Sequence, residues 1–592
     1  MKTRSLDTLG KKTYSALGCK QKYVFLLSTL LFGSRVITGN LNSMASTSSS
    51  SNNTGVAPSR EKALNHPWVT LGRGYVELRP PMNLWRQDRK LLDYDRETMF
   101  SLVTGYAFSR PDHPWLGARE PLPGGTFGEF KWMSYGDAMK NIDDLGAGLV
   151  QLGSGHKGEN GAIFCSNSPE WILAQYAFYR NSMTVVPLYS TGSGPDVISF
   201  IISQAEIHVA VCSVQQMEPL MTAAELLVSQ SGGDLSSLPL KVIVRTCKPL
   251  GMGEPLPPFA DSLVQRAKAI GIRLVTWEEL LQLGKDHPCP ANPPTPSDVH
   301  TIIYTSGTTA RPKGAVLLHR GWTITADKPT FHHFVFGDET HISYLPLAHV
   351  YELAFTATVT RLGSQIAFFS GSLLKLFEDV EKARPTFFLG VPRVYKKLHD
   401  KIIETVDTSS WIKKNLFYYA CSAKEWAEKN KTTTWINWDS LVFNKIAAKL
   451  GGRCRMLVTA AAPMPGEMAG WLSRVFCTEL VQIYGLSECG GGACSLLGGE
   501  RNESRTSCGV PTITGDIRLV DVSELNYTVS GAGLPRGEIW LKGGSNMAHY
   551  YKEPELTKEA FSDGWFKTGD IGQLNEDGSM SVIDRVKNMF KL

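Results

Sequence analysis

Apolar residues recur at helical spacing through residues 137–153, at Ala138, Ile142, Leu145, Leu149 and Leu152, which predicts one face of an amphipathic helix. A second helix is predicted over residues 171–179. Elsewhere the period changes. Short apolar runs rich in β-branched residues stand at residues 161–165, 184–188, 199–203, 208–213, 241–245, 387–390 and 455–459. Bounded by polar and turn-forming residues, these predict buried parallel strands joined by crossover helices. Toward the end, residues 509–521 and 537–543 alternate apolar and polar positions between glycine and proline turns, as in a small distorted barrel or sheet. No internal repeat is present. The class is α/β, and such sheets hold ligands beyond the carboxyl ends of their strands, so chemistry belongs in the loops that follow strands.

Composition narrows this picture. A chain of 592 residues exceeds one compact core, so at least two subdomains with a cleft between them are expected. Hydrophobic residues at 42% and charged residues at 20% are those of a folded soluble protein, not of a polytopic membrane protein or a disordered chain. The net charge of +5 is too small to point to a nucleic-acid partner. Eleven cysteines show no C-x-x-C spacing, so reduced, mostly buried thiols are expected in place of a zinc site or a disulfide framework. Residues 1–60 differ from the rest: Lys2, Arg4, Lys11, Lys12, Lys20, Lys22, Arg35 and Arg60 face the single acid Asp7. Within them VFLLSTLLF, residues 24–32, is short for a membrane span. A secretory-type signal, a signal anchor and the front of an organelle presequence all fit; alternatively Met44 is the working start. Low-complexity sequence follows to residue 58, and ordered sequence is expected from near Trp68.

The sharpest chemical signal follows the predicted strand at residues 300–304. Thr305, Ser306, Gly307, Thr308 and Thr309 offer hydroxyl and backbone N–H donors at close quarters, and Lys313 adds a positive charge after Ala310, Arg311 and Pro312. That set suits a triphosphate. The spacing is not that of a Walker A loop, and Ser/Thr-rich stretches also make ordinary turns. Further candidates follow in order: YLPLAHVYE (344–352), GVPRVYK (390–396), TAAAPM (459–464), QIYGLSE (482–488), WFKTGD (565–570) and DRVK (584–587). Taken singly, His349 in its apolar run reads as a core histidine, and Glu488 as a helix-capping acid.

Taken in this order, YTSGTTARPKG and the segments after it resemble the acyl-adenylate-forming, AMP-binding superfamily. SNSPEWILAQYAF (166–178), VPLYSTG (186–192), YLPLAHVYE and GVPRVYK resemble its long-chain fatty acyl-CoA synthetases. The resemblance implies the large amino-terminal domain of such an enzyme over residues 61–583, with two α/β subdomains of mostly parallel sheets and a small distorted β-barrel. Residues 584–592 would be the hinge to a C-terminal cap domain, which delivers a lysine to the adenylate; the chain ends at Leu592, so that domain is expected to lie outside it. Departures from the usual pattern are Ala310 and Ala460, where glycine is commoner, Ser487, where threonine is usual, and Ser190, where aspartate is usual.

The resemblance also implies roles. Thr305, Ser306, Gly307, Thr308, Thr309 and Lys313 would hold ATP phosphates, with Ser487 contacting phosphate. Ala461, Ala462, Tyr484 and Gly485 would line the adenine pocket, Asp570 and Arg585 would hold the ribose, and Lys587 the nucleotide. Glu488 with Thr305 would bind Mg2+. His349, Glu488 and Lys313 are the catalytic candidates; Leu345, His349, Val350 and Tyr395 would hold the acyl chain. The implied reaction joins a long-chain fatty acid to ATP as acyl-AMP and then to coenzyme A. Two alternatives stand: an adenylating enzyme for another carboxylate, and a non-enzymatic nucleotide- or acyl-binding form. The basic amino terminus adds an expected membrane association, at the endoplasmic reticulum or, failing that, a plastid or peroxisome.

Overall fold

The computed structural model describes residues 59–80, 93–189, 194–305, 311–327, 334–495, 506–531 and 533–585. The chain divides after Ala57, and all described residues belong to the second unit. The expected amino-terminal address and the run at 24–32 lie outside them.

Three mixed sheets form the frame. The largest has eight strands, and six of them run parallel: Val299–Thr305, Thr184–Pro187, Asn160–Phe164, Ile207–Cys212, Val242–Arg245 and Arg273–Thr276, in that spatial order. Lys313–Leu318 and then His549–Tyr550 extend the edge beyond Val299–Thr305 in antiparallel register. A second set begins with Thr340–Ser343, Gln365–Phe368 and Pro114–Leu122, parallel to one another, with Thr126–Ser134 antiparallel at the end. Beside it, Phe387–Gly390, Met456–Thr459 and Glu479–Tyr484 run parallel, and two short antiparallel strands complete them. The Thr386 N–H donates to the Thr340 carbonyl at 3.0 Å, joining the two groups.

The amphipathic helix of the sequence pattern is Tyr135–Gln151, with Ala138, Ile142, Leu145 and Leu149 buried. Ser134 caps it by accepting the Asp137 N–H, which satisfies a donor that helix geometry leaves open. Pro169–Arg180 is the second predicted helix, buried along its whole length. Two expectations need correction. Residues 199–203 are not a strand but part of the helix Pro195–Gln204; Pro195 at the first helical position sets φ for helix, and the Ile201–Ile202 pair packs its inner face. The barrel is instead an open, antiparallel seven-stranded sheet. Its edge is Val69–Gly72 and Tyr75–Leu78, so residues far upstream complete a sheet otherwise built from residues 516–585. Asp584 and Arg585, assigned to the hinge, lie in its strand Met580–Arg585.

The ten described cysteines are free thiols. No helix among the described residues is long and apolar enough to cross a membrane.

Candidate functional site

Thr305 ends one strand of a hairpin and stands opposite Lys313, which begins the other. Ser306, Gly307, Thr308, Thr309 and Ala310 lie outside the described residues, as does Lys587. Because His549–Tyr550 pairs with the outer edge of Lys313–Leu318, the Tyr550 ring lies 5.5 Å from Lys313 Nζ, within cation–π range.

Tyr550 leads to the acid. Its hydroxyl donates to Glu488 Oε1 at 3.0 Å. Glu488 sits in the single turn Ser487–Cys489, directly after the strand Glu479–Tyr484, and the Met547 N–H donates to its carbonyl at 2.7 Å. Burial holds the Glu488 carboxyl above the usual carboxylate range; hydrogen bonds from its own N–H and Tyr550 oppose this, and the charge of Asp570 adds to it. A neighbouring divalent cation would favour the ionised form.

The strand that leads to Glu488 also carries Tyr484, whose hydroxyl donates to Asp570 Oδ2 at 2.9 Å. Burial holds that phenol protonated, so it remains a donor. Arg585 Nε donates to the other oxygen, Oδ1, at 2.8 Å, while the Arg585 side chain is 69% exposed. The Asp570 N–H donates to Thr568 Oγ1 at 3.0 Å, and Gly569 between them has φ +73, the left-handed turn that glycine takes without strain. A carboxylate with two engaged oxygens keeps free lone pairs, so Asp570 retains capacity for further donors.

The loop after Tyr484 is built from close approaches. A Cβ on Gly485 would lie 2.3 Å from the Gly491 carbonyl oxygen, so only glycine fits there. At Gly491 a Cβ would lie 3.2 Å from both Val350 Cγ2 and Ala354 Cβ. The turn that carries Glu488 thus rests on the helix Val350–Arg361.

That helix begins at His349, which caps it: its Nδ1 accepts the Tyr351 N–H at 3.1 Å. The lone pair is then on Nδ1 and the proton on Nε2. Burial lowers the pKa of this imidazole, against the pull of Glu352, so it is a neutral Nε2–H donor. Asn167, from the SNSPEW segment, fixes the approach by donating to the Leu345 carbonyl at 2.6 Å and accepting the Leu347 N–H at 3.0 Å. Leu345 and His349 are partly exposed, whereas Val350 is buried. Tyr395 departs from its expected place on an acyl wall. It is fully buried in the core, its hydroxyl 2.9 Å from the Phe388 carbonyl and 3.0 Å from that of Val458, tying two neighbouring strands.

Ala461 and Ala462 are exposed in the loop after Met456–Thr459. Ala461 has φ +71, which costs an L-residue with a Cβ roughly 1 kcal/mol. The Gln482 side chain accepts the Met464 N–H at 3.0 Å, binding this loop to the strand that ends at Tyr484. Tyr550, Thr568 and Asn167 were not singled out in the sequence; Tyr550 stands in a two-residue strand that carries no periodicity.

Residues 107–551 match the AMP-binding enzyme family. The chain is 37% identical over 496 residues to fatty acyl-CoA synthetase A of Dictyostelium discoideum, covering 83% of this chain and 70% of that protein. It is 37% identical over 483 residues to the peroxisomal long chain acyl-CoA synthetase 6 of Arabidopsis thaliana, covering 81% and 65%. The chain therefore spans about two thirds of the length of these relatives. The adenylation domain of the carboxylate reductase from Mycobacterium chelonae has the same fold, with a TM-score of 0.65 at 22% identity, over 83% of this chain and 72% of that one. By the extent of the family match and the identity to these relatives, the chain belongs to the AMP-binding enzyme family, in which it stands with the long-chain acyl-CoA synthetases.

Proposed function

We propose that this protein activates long-chain fatty acids with ATP, forming acyl-AMP and pyrophosphate, and passes the acyl group to the thiol of coenzyme A. One observation carries the reading: Lys313, Tyr550, Glu488, Tyr484, Asp570 and Arg585, from five separate segments, form one set of neighbouring polar contacts beside the helix capped by His349.

Adenylation needs a carboxylate oxygen to attack the α-phosphorus in line while the β,γ-pyrophosphate leaves, so positioning and charge neutralisation do most of the work. Lys313 and the hydroxyls of residues 305–309 would offset charge on the leaving group. Asp570 would accept the ribose hydroxyls, with Tyr484 and Arg585 holding its carboxylate in place. The neutral His349 offers an Nε2–H to one oxygen of the fatty carboxylate, leaving the other free to attack. Glu488 and Thr305 are oxygen donors of the type Mg2+ prefers; the ion, when bound, would supply neutralising charge to the phosphates.

The test is ATP–pyrophosphate exchange. Palmitate or oleate should support exchange at a rate well above that with benzoate, and exchange with neither, while ATP still binds, would favour the non-enzymatic nucleotide-binding form. The amino-terminal address is part of the same proposal: residues 1–60 fused to a fluorescent protein should locate to the endoplasmic reticulum, and a diffuse signal would remove that element.

A further inference from the structure

Three parallel strands at the far edge of the eight-stranded sheet end in register: Cys212 is opposite Arg245, and Arg245 opposite Thr276. None of them carries a residue of the nucleotide cluster. Along the edge strand Arg273–Thr276, from the residues before it to the end where Arg245 and Thr276 stand, lies a groove of about 1060 Å³. Its apolar wall comprises Leu256, Pro258, Phe259, Val264, Ile272 and Leu274.

Arg245 also lines the groove, and it is unlike its peers. Four arginines are buried among the described residues: Arg119, Arg180, Arg245 and Arg361. Arg119 pairs with Asp379 at 2.9 Å, Arg180 with Asp143 at 2.8 Å and Arg361 with Asp327 at 3.0 Å. Arg245 is 7% exposed and has no ion pair among the described residues. Its guanidinium carbon stands 4.2 Å from the centroid of the Phe259 ring, and its Nε is buried without a hydrogen-bond partner. A buried guanidinium Nε with no hydrogen-bond partner is costly, and the planar fork matches a carboxylate or phosphate. Glu278 and Glu279 line the same groove; neither forms an ion pair with Arg245, although the charge of both reaches it, and Glu279 accepts the Thr276 N–H at 2.7 Å as a helix cap.

We infer that this groove is a second ligand site, which takes an aliphatic carboxylate: the head on Arg245, the chain against Phe259, Val264 and Ile272. A monoanion suits it better than a phosphate dianion, because the two glutamates share the groove and the remaining cations, Lys268 and Arg273, stand at its more exposed margin.

The test uses the full chain and a diazirine-bearing decanoate, with the crosslinked peptides mapped. Label is expected on peptides covering residues 249–274, competed by decanoate and much less by decyl phosphate. Arg245→Met should reduce that label about tenfold or more, as loss of a charged hydrogen-bond pair implies. Should that variant melt early, Val264→Trp decides, since it fills the groove from its exposed helix and leaves Arg245 in place. Absent labelling in the wild type, undiminished labelling in the variants, or equal competition by decyl phosphate would overturn the assignment. Label on residues 344–362 reports the proposed acyl site separately: its loss with groove labelling kept would count against the ligase reading, not against this one.

Discussion

Two buried tyrosine pairs in this molecule are nearly the same in chemistry and opposite in use. In one, Tyr484 donates to Asp570 at 2.9 Å; in the other, Tyr179 bonds to His300 Nε2 at 2.8 Å. In both pairs burial holds the phenol protonated. The difference lies in what comes next. From Asp570 the contacts continue to Arg585, largely in solvent, at the end of a strand and beside a glycine-built loop. From His300 they close on themselves: Gln175 donates back to Tyr179 at 2.8 Å, Trp322 stacks on the imidazole at 4.7 Å, and His319 packs edge-on at 4.8 Å. A buried titratable group is therefore no mark of a functional site by itself. Polar contacts that open toward solvent at strand ends are the better mark.

The hardest test of that distinction is Asp570→Asn. It keeps the shape but removes the charge that would meet the ribose and that faces Arg585. Exchange activity should fall about 100-fold, the scale expected when a pre-organised charged hydrogen bond is lost, with the melting temperature little changed. The converse is Tyr179→Phe, which strips His300 of its partner inside a sealed core. It should cost about 1–3 kcal/mol of stability, read by urea unfolding, and leave the KM for ATP and palmitate unaltered. A shift in KM from Tyr179→Phe, or unfolding from Asp570→Asn, would erase the contrast.

The sealed cluster also predicts a pH dependence. Burial depresses His300 well below its ordinary value and brings His319 down from 6.5 to about 3. Both are neutral in the fold, so over that interval the unfolded chain binds more protons. Their stabilising contribution is complete above about pH 6.5 and is lost progressively as pH falls through the window toward 3. Unfolding midpoints between pH 6.5 and 5, above most carboxylate titrations, should decline in the wild type and decline less in His319→Leu. Equal slopes would show that the histidines are not the titrating groups.

The same contrast explains what the sequence disclosed. The strand before the hydroxyl-rich loop, the strand at 456–459 and the helix at 135–151 were legible because each carries its own local pattern. Residues 199–203 misled because two adjacent isoleucines favour a strand locally, while a proline-led helix start and packing against the sheet decide otherwise. The antiparallel sheet was expected to be a barrel because the strand 75–78, at the inner side of the hairpin 69–78, stands more than 400 residues from its partner 516–520, and no local pattern encodes such pairing. Tyr395 was placed on an acyl wall by motif; its hydroxyl bonds two strand carbonyls, which only tertiary structure reveals. Tyr550 escaped notice because its meaning comes from the neighbour it meets, Glu488, not from its own surroundings in the chain.

The smallest expected effect tests whether strain belongs to the open cluster as pairing does. Ala461, in the loop tied through Gln482 to the Tyr484 strand, holds φ +71, a conformation glycine adopts freely. Ala461→Gly relieves roughly 1 kcal/mol of strain but returns about 0.4–1 kcal/mol of entropy to the unfolded chain, so net stability should move by only a few tenths. Nucleotide binding is the more telling readout. If the strained loop is held in shape for the adenine, freeing it should weaken ATP binding about two- to threefold, as sub-kcal changes do, with stability nearly flat. Unchanged affinity would make the positive φ a feature of chain direction after the strand, and the open cluster would then be defined by its charges alone.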